Sequence, residues 1–111
     1  MKRGSDDSLN AVFSALADPT RRAILKTLRE GHAQVSELAK PFDMSLPAIS
    51  KHLRILEGSG LVVRERDGRF HRMHLQGKPL KDAAEWLDRY RKFWNTRLDS
   101  LDAFLGKTKR S

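Results

Sequence analysis

A mainly α-helical domain carrying one β-hairpin is the fold class this sequence predicts, and three observations predict it. Apolar residues recur at helical spacing in five separate stretches. Two extended, arginine-rich runs flank Asp67-Gly68, the strongest short hairpin signal a sequence carries. A short helix, a tight turn and a longer helix stand immediately before that hairpin, which makes a helix-turn-helix unit with a wing attached.

The elements follow in chain order. Residues 1–7 read as a polar lead-in without the apolar stretch of a signal peptide, and with residues 106–111 they are expected to be flexible tails. Ser8 is the expected N-cap of a first helix whose apolar face is Leu9, Val12, Phe13 and Leu16. Asp18-Pro19 opens a second helix, cap first and proline at the first helical position. Its stripe is Ala23, Ile24 and Leu28, and Gly31 ends it. Ala33-Gln34-Val35 has the length of a small strand. Ser36–Ala39 starts a short third helix, which Pro41 brings to a turn. Ser45 caps a fourth helix with Pro47 in its first turn, with Ile49, Leu53 and Leu56 pointing inward, and Gly58-Ser59-Gly60 stops it. Residues 61–66 and 69–75 form the hairpin, and a long helical pattern runs from Pro79 to about Leu105. The 111 residues read as a single winged helix-turn-helix domain, long enough to bury a core.

Composition bounds the function. A hydrophobic fraction of 39% and a charged fraction of 32% describe a soluble domain, and no apolar run reaches membrane-spanning length. There is no cysteine, which excludes disulfides, thiolate metal sites and cysteine catalysis and fits a cytoplasmic protein. No nucleophile motif, phosphate loop or carboxylate pair is present, so no catalytic residue and no cofactor are expected. His71 and His74, three apart on a strand, point to opposite faces and cannot chelate together. His52 reads as a half-buried structural histidine, and no metal site is expected.

The net charge of +8 points to a polyanion, and its distribution is informative. Residues 1–44 carry net +1, residues 45–78 net +4, residues 79–105 are balanced, and the last six carry +3. The +4 segment contains the fourth helix and the hairpin. That helix would be about 20 Å long, enough to lie in a major groove. Its outward face is Pro47, Ala48, Ser50, Lys51 and Arg54. Small residues permit close approach to base edges, Lys51 and Arg54 reach guanine acceptors or phosphates, and Ser45 and Ser50 donate to phosphates. The hairpin adds Arg64, Arg66, Arg69 and Arg72, with His71 between them. Arg69, at the tip, suits a minor groove. Edge strands do use charge to block aggregation, but that device does not account for four arginines in nine residues. The predicted partner is double-stranded DNA.

The last helix would be about 40 Å long, more than a domain of this size needs. Leu80, Ala84, Leu87, Trp94, Leu98, Leu101 and Leu105 make one apolar stripe, and Ala83, Trp86, Tyr90, Phe93 and Phe104 a second beside it. One stripe is expected to pack on the domain and the other on a second copy, giving a two-fold dimer. Two further functions fit the same pattern: a winged-helix module that binds an acidic protein, and a regulator gated by a small-molecule effector in a pocket near the last helix.

Three blocks also carry a resemblance: Ala15-Leu16-Ala17-Asp18-Pro19-Thr20-Arg21-Arg22-Ala23-Ile24-Leu25, Val35-Ser36-Glu37-Leu38-Ala39, and Ser45 to Leu56 with Gly60-Leu61-Val62. At this spacing the chain resembles the ArsR-type repressors over roughly residues 8–105. The resemblance implies a homodimer built from the first and last helices, through Leu9, Val12, Phe13, Leu87, Tyr90, Trp94, Leu98 and Leu101. It implies a fourth helix in the major groove of a (pseudo)palindromic operator, and repression lifted by an effector. Metal-sensing members carry a Cys-x-Cys-type motif in the third helix, where this chain has Gln34-Val35-Ser36-Glu37-Leu38. Others place ligands on the last helix, which here has no histidine. The segment from Pro79 to Leu101 instead resembles a metal-independent branch of the family.

Overall fold

The computed structural model describes the backbone of residues 2–110 and the side chains of residues 6–93 and 95–106. Its order is α1 (Lys2–Leu16), α2 (Pro19–Arg29), β1 (Ala33–Gln34), α3 (Val35–Ala39), α4 (Leu46–Gly58), β2 (Val62–Asp67), β3 (Phe70–Leu75) and α5 (Lys78–Arg110). The expected sequence of four helices, a hairpin and a fifth helix is therefore present. The short strand before α3 joins the hairpin, so the sheet has three strands in the order β1-β3-β2, all antiparallel.

Two boundaries differ from the sequence expectation. The first helix starts at Lys2, so Ser8 lies inside it and not at its cap, and α5 runs on to Arg110. The segments expected as flexible tails are thus helical where described. Neither contains a proline, and their Lys and Arg residues tolerate a helix well. Polar character alone does not stop a helix.

The core is built from one stripe per element. Val12 and Ala15 of α1, Ile24, Leu25 and Leu28 of α2, Leu38 of α3, and Ile49, Leu53 and Leu56 of α4 close on Leu61, Val62, Met73 and Ala83. Val12, expected at a dimer interface, is only 2% exposed within this one chain. It belongs to the core because it shares a helical face with Ala15, whereas Leu9 and Phe13 lie at the margin of the core, half-buried.

Helix α5 departs from the expected division into two lengthwise stripes. Its first turns pack on the domain, with Ala83 buried, Leu80 against the core and Trp86 edge-on to Phe13 at 5.7 Å. Beyond that, Leu87, Tyr90, Phe93, Leu98, Leu101, Phe104 and Leu105 are all exposed. At 33 residues α5 is about 50 Å long and outruns the body it packs on. The radius of gyration, 19.0 Å, compares with about 13 Å for a compact chain of this length.

Two local arrangements fix α4. The first is a junction at its middle. Asp18 caps α2, accepting from the Arg21 backbone N–H at 3.0 Å. The Arg21 side chain donates to the Ala15 and Ser14 carbonyls, at 2.8 and 3.1 Å, and so satisfies the C-terminal end of α1. Its Nη1 also lies 3.2 Å from His52 Nδ1, a hydrogen bond when that nitrogen carries no proton. The Asp18 carboxylate lies 3.7 Å from the same nitrogen. Three helices are thereby tied at one point, with His52 as the half-buried structural histidine the sequence suggested.

The second is the end of α4. Gly60 N–H donates to Glu57 O at 3.0 Å and Leu61 N–H to Leu56 O at 3.1 Å, the two bonds of a Schellman cap. Gly60 holds φ +81°, a left-handed conformation only glycine adopts freely, and a Cβ there would sit 3.4 Å from the Pro79 ring.

Two predictions follow from these arrangements. Gly60→Ala should destabilise the domain by about 1–2 kcal/mol, read as a lower urea midpoint at unchanged slope. The Arg21 backbone N–H first, then the neighbouring His52 and Arg21 side chains, hold the Asp18 carboxyl below its ordinary value of 3.8, against the opposing effect of desolvation. A depressed folded value means the contribution is complete above 3.8 and disappears as pH falls through the folded value. Asp18→Asn should therefore be less stable than the parent near neutrality, and the gap should close in acid. A gap independent of pH would show that the charge does not matter there.

Candidate nucleic-acid interface

The face of α4 opposite its buried stripe is open. Ser45 caps the helix, its Oγ accepting from Ala48 N–H at 3.3 Å, and Pro47 lies in the first turn. The hydroxyl proton remains available to an acceptor outside the protein, at a helix end that favours anions. Ser45, Pro47, Lys51 and Arg54 are exposed, and Ala48 and Ser50 half-buried. Among the described residues, neither Lys51 nor Arg54 has a hydrogen-bond or ion-pair partner.

The hairpin turns on two residues, Gly68 and Arg69, between the paired Asp67 and Phe70. Gly68 has φ +63° and no other residue type has a positive φ, so the turn places its glycine at the first central position. The Asp67-Gly68 signal found the hairpin, but Asp67 closes the ladder and Arg69 is the second tip residue. This register determines which way each arginine faces. Val62, Arg64 and Arg66 share a face with Leu75, Met73 and His71, and Val62 and Met73 mark it as the core side. Glu65, Asp67, Arg72 and Phe70 lie on the other.

The four wing arginines consequently differ. Arg66 and Arg69 are exposed and have no partner among the described residues. Arg72 lies 3.7 Å from Glu65 and 3.6 Å from Asp67, long solvent-exposed contacts that hold it loosely. Arg64 is held firmly: Nη2 and Nε donate to the two oxygens of Glu57 at 2.8 and 3.3 Å, and Nη1 donates to His71 Nδ1 at 2.8 Å. Parity along β2 was readable in the sequence, but the Glu57 carboxylate waiting on α4 was not. Between α4 and the wing runs an open groove of about 410 Å³, lined by Val35, Ser36, Leu46 and Ser50 on one side and Arg64, Arg69, Phe70 and His71 on the other.

Residues 18–63 match the model of the bacterial regulatory protein arsR family. The transcriptional repressor SdpR of Bacillus subtilis is 38% identical to this chain over 79 residues, which cover 71% of this chain and 88% of SdpR. The chain belongs to the ArsR family. An HTH-type transcriptional regulator of Mycobacterium tuberculosis is 37% identical over 82% of each chain. Among solved structures, a crystal structure of an ArsR family transcriptional regulator superposes with a TM-score of 0.76 at 44% identity, covering 81% of this chain and 93% of that one. A homodimeric winged helix-turn-helix DNA-binding domain from Mycobacterium bovis superposes with a TM-score of 0.65 at 27% identity, covering 89% of each. These relatives are transcriptional regulators rather than enzymes. The winged helix-turn-helix fold expected from the sequence is thus the fold of its family.

Within that fold, α4 is the recognition helix and β2-β3 the wing. Arg21 was visible in the sequence only as part of a family block. Its place at the α1–α2–α4 junction makes it structural. Of the residues expected at a dimer interface, Leu87, Tyr90, Leu98 and Leu101 are exposed on α5, Leu9 and Phe13 half-buried on α1, and the Trp94 side chain lies outside the described residues. Among the described residues no group of three or more histidines and carboxylates is placed to hold a metal, and no helix is long and apolar enough to cross a membrane. If the tip arginine is free as the geometry has it, Arg69→Ala should leave the thermal midpoint unchanged. A clear drop would mean that the turn depends on a contact of that side chain.

Proposed function

We propose that this ArsR-family protein is a homodimeric repressor that binds a (pseudo)palindromic operator in double-stranded DNA without sensing a metal. One observation carries the reading: the cations of the +4 segment that have no partner among the described residues, Lys51, Arg54, Arg66 and Arg69, lie on α4 and the wing, while Arg64 is neutralised internally. In this reading α4 enters the major groove with Ser45, Pro47, Ala48, Ser50, Lys51 and Arg54. Arg66, Arg69 and Arg72 of the wing engage the flanking backbone or minor groove. The homodimeric relative and the exposed length of α5 support association through α5 and the margin of α1. The lack of cysteine, and of histidine on α5, supports metal independence.

An open groove of about 930 Å³, between α1, the end of α4 and the start of α5, gives one observation in favour of gating by a small-molecule effector. It is lined by Leu9, Ser59, Pro79 and Trp86 among others.

Selection from a random duplex pool should return a two-fold site, and log affinity for it should fall linearly with log salt. Affinity for every duplex alike would leave a non-specific basic surface, and no salt-dependent duplex binding would favour an acidic protein partner. Lys51→Ala or Arg54→Ala should cost about 1–3 kcal/mol of binding and relax specificity at one position in each half-site. Arg69→Ala should weaken all sequences similarly and reduce the salt slope by about 1 per protomer. Leu98→Glu with Leu101→Glu should give a folded monomer by sedimentation with much weaker operator binding; a persistent dimer would move the interface elsewhere.

A further inference from the structure

We infer that Arg64 is a positioning residue: it braces the wing against the recognition helix through Glu57 and His71, and does not contact phosphate. The inference rests on the DNA-binding reading above and concerns what sets the geometry of that surface.

Arg64 lies on the core-side face of the hairpin, beyond the buried pair Val62 and Met73, and its side chain is 20% exposed. Each of its three nitrogens is engaged. Nε and Nη2 take both oxygens of Glu57, in the last turn of α4, and Nη1 takes the ring of His71 on β3. One guanidinium therefore links three elements, with the fork geometry that makes an arginine–carboxylate pair directional. Among the described residues this is the only side-chain polar link between α4 and the hairpin. β1 pairs with β3 at Met73 and Arg72, the residues opposite Arg64 and Glu65, so it holds the middle of the hairpin but does not join it to α4. The tie to α4 itself is made by Arg64, at that same level of the ladder.

The consequence is geometric. Lys51 and Arg54 sit on α4, and Arg69 at the end of the wing. One rigid duplex must meet both sets at once, so the angle between α4 and the hairpin has to be fixed before binding. The sign of the charge makes this testable. A carboxylate beside a DNA-binding surface repels phosphate. If Glu57 had no positioning role, removing its charge would tighten binding.

The test uses the full chain and Glu57→Gln, Arg64→Gln and the double variant, with three readouts. Duplex affinity is titrated against salt, on the selected site and on unrelated sequence. Exchange of the hairpin amides is followed in the free protein, and a thermal midpoint establishes that each variant is folded. Each single variant should lose about tenfold in affinity for the selected site and little for unrelated duplex. The double variant should lose about tenfold as well, because both singles break one contact. The salt slope should stay at the parent value in all three, since no phosphate contact has been removed. Hairpin amides should exchange faster in each. Glu57→Gln binding at least as tightly as the parent, together with an Arg64→Gln slope reduced by about 1 per protomer, would establish Arg64 as a phosphate contact and overturn the brace. Unchanged hairpin exchange would overturn it too. A parent protein that binds no duplex would sink the DNA reading instead, and the exchange measurement would still decide whether Arg64 braces the wing.

Discussion

Everything after α4 depends on the chain reversal at Ser59-Gly60-Leu61. The left-handed Gly60 ends the recognition helix, Leu61 goes into the core without exposed surface, and β2 starts at the next residue. Gln76 N–H donates back to Leu61 O at 2.8 Å, which closes the hairpin where it leaves the domain. Pro79, in the first turn of α5, packs against the space where Gly60 has no side chain. Three elements with separate tasks thus leave one buried turn, and their directions are set together. Ser59 completes it, its hydroxyl donating to Leu56 O at 2.7 Å and accepting from Leu61 N–H at 3.3 Å. A polar side chain buried among leucines is tolerated because both its roles are filled.

The charges divide by the work that the backbone gives them. Arg21 and Arg22 donate to carbonyls at the end of α1, replacing hydrogen bonds the helix cannot make itself. Arg64 is neutralised by Glu57. Within residues 45–78, what remains for an outside polyanion among the described residues is mainly Lys51, Arg54, Arg66 and Arg69, on one face of α4 and on the wing. Net charge thus indicates the class of partner, and pairing within the fold indicates which residues are free to meet it.

Most of the architecture was legible because local rules agreed with one another. Asp18-Pro19, Ser45 with Pro47, and Gly60 are punctuation marks whose chemistry is local, and each lies where the helix boundary falls. The helix ends lacking such punctuation, before Ser8 and after Leu105, were misplaced because no proline or cap marks a stop there and single glycines only weaken a helix. The sites were legible in part. Helical period separated the face of α4 carrying Lys51 and Arg54 from Ile49 and Leu53. Alternation likewise put Arg64 and Arg66 on one face of β2. Neither rule could distinguish Arg64 from Arg66, because the difference lies in Glu57, a residue of another element. Val12 illustrates the same limit. Its helical face was evident, but whether the core or a second copy covers that face depends on what α2 and α4 bring to it.

Charge segregation bears on the proposed dimer as well. Residues 79–105 carry no net charge, whereas residues 45–78 carry +4. Two copies joined through the basic segment would bring like charges together and cover the residues proposed to meet DNA. Joined along residues 79–105 of α5, they bring together segments without net charge, with Leu87, Tyr90, Leu98, Leu101 and Leu105 of each copy removed from water. Positions 87, 90, 94, 98, 101 and 105 step by three or four residues, which keeps them on one face of the helix. The exposed length of α5 and the balanced charge of residues 79–105 thus point to the same interface. Both also leave the two recognition helices and wings uncovered, which a protein that has to hold both halves of a two-fold site requires.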